Sequence, residues 1–350
     1  MLENEFEVAD AVTTVYVCVV VRRNSLQLTI DAYEISEIRL LLNSTCTASD
    51  DKIPKATISG LTLMFYNSFL PRLRRGLFRR YIPLRRYVPG SRLLPTVIIG
   101  GAQKAGTTFL FDVIARQVTY SGPVTKEVHY FSSEWFRDDL WYRAHFERAG
   151  SPRLQIEGSA SYLYHPNAAM RIAKTLPNVK IIFVLRDPIA RAYSHYHHNS
   201  RWSGREKLSF PDALQAERTR LEPDLERLAA DPNASVESFY RYSYVNRGKY
   251  AEQVERFMNV FDPEQLLLVD SDKLFRGCAI QLGKIDEFLG ARLDWSAARF
   301  ARTNANSYNK IDSSAWKYLA AQFVCHDEAL CDLTGSRWSW MCDQEVKRRG

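Results

Sequence analysis

The sequence predicts an α/β protein, with a P-loop-like parallel sheet flanked by helices on both faces. Three observations lead to it. Short, nearly continuous apolar runs recur at 96–100 (TVIIG), 154–156, 179–185 (VKIIFVL) and 265–269 (QLLLV). Runs of this length and character suit strands covered on both sides, as parallel strands are. Stretches with helical spacing separate these runs, the alternation that builds a parallel sheet. A glycine-rich turn joins the first run to the first helical stretch, where α/β folds bind anionic ligands.

The 350 residues, 46% hydrophobic and 25% charged, have ordinary globular composition and exclude a disordered chain. The reading divides them into an N-terminal extension (1–60) without clear periodicity, a basic amphipathic lead-in (61–94) and the main domain (95–340). The net charge of +7 is local. Between Ile53 and Phe111 there is no Asp or Glu, against two Lys and eight Arg, so this window alone carries +10. A basic surface of this kind suits nucleotides, anionic glycans or lipid headgroups, and equally a solvated linker. Peripheral membrane contact and helix packing are both open for 61–94. No role in binding nucleic acid is expected. Six Cys without a CxxC pair argue against a zinc or redox site, and leave a disulfide among Cys325, Cys331 and Cys342 open. The apolar run 13–21 is shorter than a membrane span and follows acidic residues, so neither a signal peptide nor a standard anchor is expected. The expected location is cytoplasmic, with a Golgi-lumenal or membrane-associated enzyme as the alternative.

In chain order, the strand at 96–100 feeds the turn and then a helix over 107–116. The strand at 154–156 follows. The strand at 179–185 leads into a helix over 187–200 that opens at Pro188, a residue pre-organised for the first helical turn. An amphipathic helix over 250–261 places Val254, Phe257, Met258 and Phe261 on one face. The strand at 265–269 and a helix over 279–289 closed by Gly290 complete the pattern.

Two motifs carry chemistry. In the turn, Gly100, Gly101, Gln103, Lys104, Ala105, Gly106, Thr107 and Thr108 combine converging backbone N–H groups, a mobile cation and hydroxyl donors, the ingredients of an anion cradle. Lys104 precedes Gly106 by two residues, whereas a Walker loop places its Lys directly after the second Gly, which weakens an ATPase reading. In the second motif, Arg186 stands at a strand end and Ser194 two helical turns further on, so both can reach one phosphate.

Together these motifs resemble the PAPS-dependent sulfotransferases, closest to the heparan sulfate and carbohydrate branch in a bacterial-type form. The resemblance runs over 94–340, about 70% of the chain. It includes the segment Lys126, Glu127, Val128, His129, Tyr130, Phe131, the stretch 157–162, and Arg247, Gly248, Lys249, Tyr250. It implies that 3′-phosphoadenosine 5′-phosphosulfate (PAPS) is the donor, gripped through its 5′-phosphosulfate by residues 100–108 and through its 3′-phosphate by Arg186 and Ser194. It implies in-line transfer to a hydroxyl or amine of a carbohydrate or glycan acceptor without a metal. Glu127 is the implied general base, Lys104 neutralises charge on the bridging oxygen, Lys126 lies near the sulfonate, and His129 assists if the segment is extended or is itself the rival base. Tyr308 and Lys310 are implied nucleotide contacts. Asn304, Ala305 and Asn306 stand where heparan-type enzymes have a basic loop, and Gly158 where they have Lys, which weakens a claim of heparan specificity.

His195, His197 and His198 read as surface or acceptor-cleft residues. Trp135, Trp141, Tyr142 and Phe146 read as core packing, with a sugar-stacking wall as the alternative. A nucleotide kinase or NTPase and a non-catalytic binder of anionic glycan or membrane are the competing functions.

Overall fold

In the computed structural model the described residues are 4–10, 13–22, 25–31, 82, 85 and 90–341, excepting 118, 124–125, 149–153, 203, 297 and 299–310. The chain divides into two units, residues 1–69 and 70–350. In the first, β1 (Asn4–Asp10), β2 (Thr13–Arg22) and β3 (Ser25–Asp31) form an antiparallel meander, with Val17 opposite both Phe6 and Ile30.

The second unit is built on five parallel strands in the order β5-β6-β4-β7-β8: β4 (Pro95–Gly101), β5 (Tyr120–Ser121), β6 (Leu154–Gly158), β7 (Lys180–Leu185) and β8 (Leu266–Asp270). The four apolar runs are strands, each within two residues of its expected bounds. The two-residue edge strand β5 carries too little pattern to be read. Ile98 and Ile99 in β4 and Ile181 through Leu185 in β7 are wholly buried. Successive strand residues point to opposite faces, so both faces of the sheet are covered. Helix α1 (Thr107–Ala115) packs on β4, β5 and β6.

Further helices are α2 (Asp139–Arg143), α3 (Ala168–Thr175), α4 (Pro188–His197), α5 (Phe210–Ala230), α6 (Glu237–Arg241), α7 (Tyr250–Met258), α8 (Ser271–Phe275), α9 (Ala279–Leu289) and α10 (Ser313–Thr334). Helix α4 starts as expected, with Pro188 in its first turn and the Asp187 carboxylate accepting from Ile189 N at 3.0 Å. It ends three residues short of expectation, in a π-helical turn (His198–Trp202). Gly290 closes α9 in the left-handed conformation, as its placement implied.

From β4 the chain moves to β6 and β5 on one side, and later to β7 and β8 on the other. The C-terminal edge between β4 and β7 is therefore a topological switch point, where open α/β sheets leave a crevice for ligands. Residues 100–108 leave β4 at this edge, and Arg186 follows β7 at the same edge.

Candidate active site

The loop after β4 is shaped by two left-handed residues, Lys104 (φ 70°) and Gly106 (φ 108°). At Gly106 a Cβ would meet the Phe275 ring at 2.6 Å, so the position requires glycine on both conformational and steric grounds. Gly106 caps α1 without a side-chain hydrogen bond, leaving the first N–H groups of the helix for a ligand. The loop is braced from behind. Ser271 Oγ donates to Ala105 O at 2.7 Å, and Ala105 N to Ala102 O at 3.1 Å. The buried Gln103 Oε1 has no protein partner. Thr107 is buried and Thr108 exposed.

Arg186 joins the second motif to the first, donating from Nη1 to Lys104 O at 3.0 Å, while Tyr250 OH donates to its own carbonyl at 2.9 Å. Ser194 is buried on α4. Burial lowers the Lys104 pKa, and the positive charges of Arg186 and Arg191 lower it further against the pull of Glu127. Two cations that depress each other's protonation in this way would both be relieved by an anion bound beside them.

Glu127 and His129 also sit in the left-handed region, at φ 60° and 57°. Lys104, Glu127 and His129 are the three positive-φ non-glycine residues among the described residues. Such conformations cost about 1–3 kcal/mol each and collect where a site over-determines them. An extended segment, the condition under which the two side chains would share a face, is not what the backbone forms. The two side chains do meet, with His129 Nε2 3.3 Å from Glu127 Oε2, but through two left-handed residues flanking the buried Val128 rather than through strand alternation.

Residues following β6 hold this geometry. Glu127 N donates to Gly158 O at 3.1 Å, and His129 N to Ser159 Oγ at 3.0 Å. Ser159 Oγ donates at 2.8 Å to the wholly buried Glu157 carboxylate, which also accepts from Tyr142 OH at 2.6 Å and from Tyr162 OH. Burial raises the Glu157 pKa against these three donors.

Burial would raise the Glu127 pKa too, but its hydrogen bond to His129 and the charges of His129, Lys126 and His198 outweigh this and hold the carboxyl below its ordinary value. Burial lowers the Lys126 pKa, and its ammonium lies 5.1 Å from the Phe111 ring centroid. Phe111 occupies the space a side chain at Gly158 would need, its Cδ2 lying 2.7 Å from a Cβ built there.

The structure separates the three neighbouring histidines His195, His197 and His198. His195 is wholly buried against Tyr244 and His197 is buried against Tyr193 and Tyr196, which corrects their placement at the surface or cleft. The cause is α4 itself, whose inner face packs under α5 and residues 243–245. His198 alone is exposed, and it interacts electrostatically with Lys104 and Glu127. Its spacing of four from Ser194 was the available signal. Ser132, which contacts His129, carried no signal, and Ser161 entered only within the stretch 157–162. Tyr142 and Phe146 lie in the core, with Trp135 and Trp141 packed against it. Tyr308, Lys310 and residues 304–306 lie outside the described residues.

A family model described as the sulfotransferase domain matches residues 94–315. The chain is 38% identical over 117 residues to the membrane-associated sulfotransferase kil1 of Dictyostelium discoideum, covering 33% of this chain and 25% of that protein. It is 29% identical over 203 residues to human heparan sulfate glucosamine 3-O-sulfotransferase 3B1, covering 58% of this chain and 48% of that one. It thus spans half or less of these relatives. The crystal structure of a sulfotransferase from Alicyclobacillus acidocaldarius superposes with a TM-score of 0.56 at 27% identity, covering 70% of this chain and 98% of that one. The family match sets aside the kinase and binding-module readings of the glycine-rich loop. With the parallel sheet, the braced loop and Arg186 meeting at one edge, the chain belongs to the sulfotransferase family.

Proposed function

We propose that the protein transfers the sulfuryl group from PAPS to a hydroxyl or amine of a carbohydrate acceptor, with Glu127 as general base and no metal. The observation that carries this is the convergence of Lys104, Glu127 and His129, each in a left-handed conformation, beside a loop whose helix has no side-chain cap. The uncapped α1 terminus and the adjacent Lys104 and Arg186 fit a nucleotide bearing two anionic groups. Residues 101–108 and Lys104 would hold the 5′ end, and Arg186 and Ser194 the 3′-phosphate. Tyr308 and Lys310 complete the proposed contacts. The carbohydrate acceptor is supported by the heparan sulfate enzymes among the relatives.

Bound PAPS supplies the sulfuryl group and a bisphosphate leaving group. The Glu127 carboxylate, held ionised, takes the proton of the attacking hydroxyl or amine. Lys104 places positive charge where the leaving oxygen becomes anionic, and Lys126 supports the charge around it. The domain proposed to do this is 95–340. A cytoplasmic placement, with 61–94 contacting a membrane surface, belongs to the same proposal; its Arg-rich composition and the membrane-associated relative support the contact. Transfer of labelled sulfate from PAPS across a panel of polysaccharides, glycolipids and simple alcohols tests the reading. Labelled carbohydrate is the expected product, and no transfer to any acceptor overturns it.

A further inference from the structure

Behind the Glu127 carboxylate runs a chain of hydrogen-bonding groups. Ser132 Oγ lies 2.9 Å from Ser161 Oγ, Ser161 Oγ 2.9 Å from His129 Nδ1, and His129 Nε2 3.3 Å from Glu127 Oε2. Both serines are buried, at 4% and 5% exposure, which leaves little room for water to substitute for either hydroxyl.

Each hydroxyl has one proton to give, and a neutral imidazole has one N–H. The Glu127 carboxylate sets the direction. Being ionised it can only accept, so the imidazole proton sits on Nε2, facing it, and the Nδ1 lone pair takes the Ser161 proton. Ser132 Oγ donates to His129 O at 3.1 Å and packs against Ser161 Oγ at 2.9 Å. The reverse direction places a lone pair of Nε2 against an ionised carboxylate. An ionised carboxylate has no proton to give, so that contact would set lone pair against lone pair.

We propose that Ser161, backed by Ser132, is a positioning residue that locks His129 in the Nε2–H tautomer, so that the imidazole donates to Glu127 Oε2 and holds the carboxylate ionised and aimed at the acceptor. This rests on the reading of Glu127 as general base. The charged groups facing the pair are Lys126 on the same segment, Lys104 from the loop after β4, His198 from the turn after α4, and Glu157 from β6 on the His129 side. The depressed Glu127 pKa has the direction this donation requires.

The tautomer is read directly by imidazole nitrogen NMR of the folded enzyme, with His129 assigned by difference against His129→Asn. The lone-pair nitrogen is expected to be Nδ1; a lone pair on Nε2, or a doubly protonated ring at neutral pH, overturns the proposal. Kinetics give a second readout. Removing a partner that orients a reacting group costs about 10- to 100-fold. Ser161→Ala should lose that much kcat, leave binding of adenosine 3′,5′-bisphosphate unchanged and move the acid limb of the rate profile to higher pH. Ser161→Thr, which restores a hydroxyl, should recover most of the rate. Wild-type kcat and acid limb in Ser161→Ala, or equal impairment in both variants, overturns it. Unimpaired turnover in Glu127→Gln would instead refute the base assignment, and the NMR result stands apart from that.

Discussion

Glu127 Oε2 lies 3.3 Å from His129 Nε2, and both residues hold left-handed backbone conformations fixed by hydrogen bonds to Gly158 and Ser159. The contact joins two side chains that an extended segment would have carried along one face. It gives the carboxylate a fixed donor, which is what a base that must stay ionised near neutral pH requires.

Glu127→Gln preserves the size of the side chain and removes the proposed base. We expect adenosine 3′,5′-bisphosphate to stabilise this variant as it does the wild type, by about 2.7 kcal/mol at a hundredfold excess over Kd. The turnover number should fall by about 10²- to 10⁴-fold. Thermal shift and single-turnover sulfate transfer check the two halves separately.

Lys104→Ala removes the charge proposed to stabilise the leaving oxygen. We expect transfer to fall by at least about 10²-fold, the scale on which loss of one transition-state donor is felt. The fold should hold, because the Lys104 backbone carbonyl that Arg186 grips is retained. Circular dichroism alongside the rate assay separates the two effects.

The pH dependence follows from the direction of two shifts. Glu127 is depressed below its ordinary value of 4.5, so its contribution to stability is present above that value and lost as pH falls through the depressed one. Activity that needs the carboxylate should share this acid limb, below pH 4.5. Lys104 is lowered from 10.5, so the alkaline limb should begin below the pH at which an exposed lysine loses its proton. A rate profile of kcat/KM with the wild type and Glu127→Gln checks both limbs. Loss of the acid limb in the variant is the expected result.

Gly106→Ala tests the loop. A φ of 108° and a Cβ 2.6 Å from the Phe275 ring make the substitution strained and crowded. Overpacking of this kind costs about 1–3 kcal/mol. Both a lower Tm and a weaker affinity for adenosine 3′,5′-bisphosphate are expected, because the same backbone turn presents the N–H groups of α1.

The parallel strands were legible because apolar runs such as 180–185 state their burial residue by residue. Helices α5 and α10 were not assigned. In α5 the helical spacing of Phe210, Leu214, Leu221 and Leu228 is interrupted by Pro223, and by Glu217 and Asp224, which are buried against partners distant in sequence. Glu217 accepts from Val245 N, and Asp224 from Phe239 N. Their acceptability in a core is a tertiary fact.

The sequence by itself pointed to the glycine-rich loop and the strand-end Arg186 with Ser194, because each depends on groups close together along the chain, and the resemblance they carry named Glu127 as the candidate base. Only the tertiary structure decided how those groups act. The left-handed turns at Glu127 and His129 exist because β6 and its following residues supply the acceptors that compensate for them. The burial of His195 and the exposure of His198 depend on which face of α4 meets α5 and residues 243–245. The serines that orient His129 come from positions 3 and 32 residues away. Hydrogen bonds set a protonation state only when donor, acceptor and competing acceptor are all in place, and folding brings the three together.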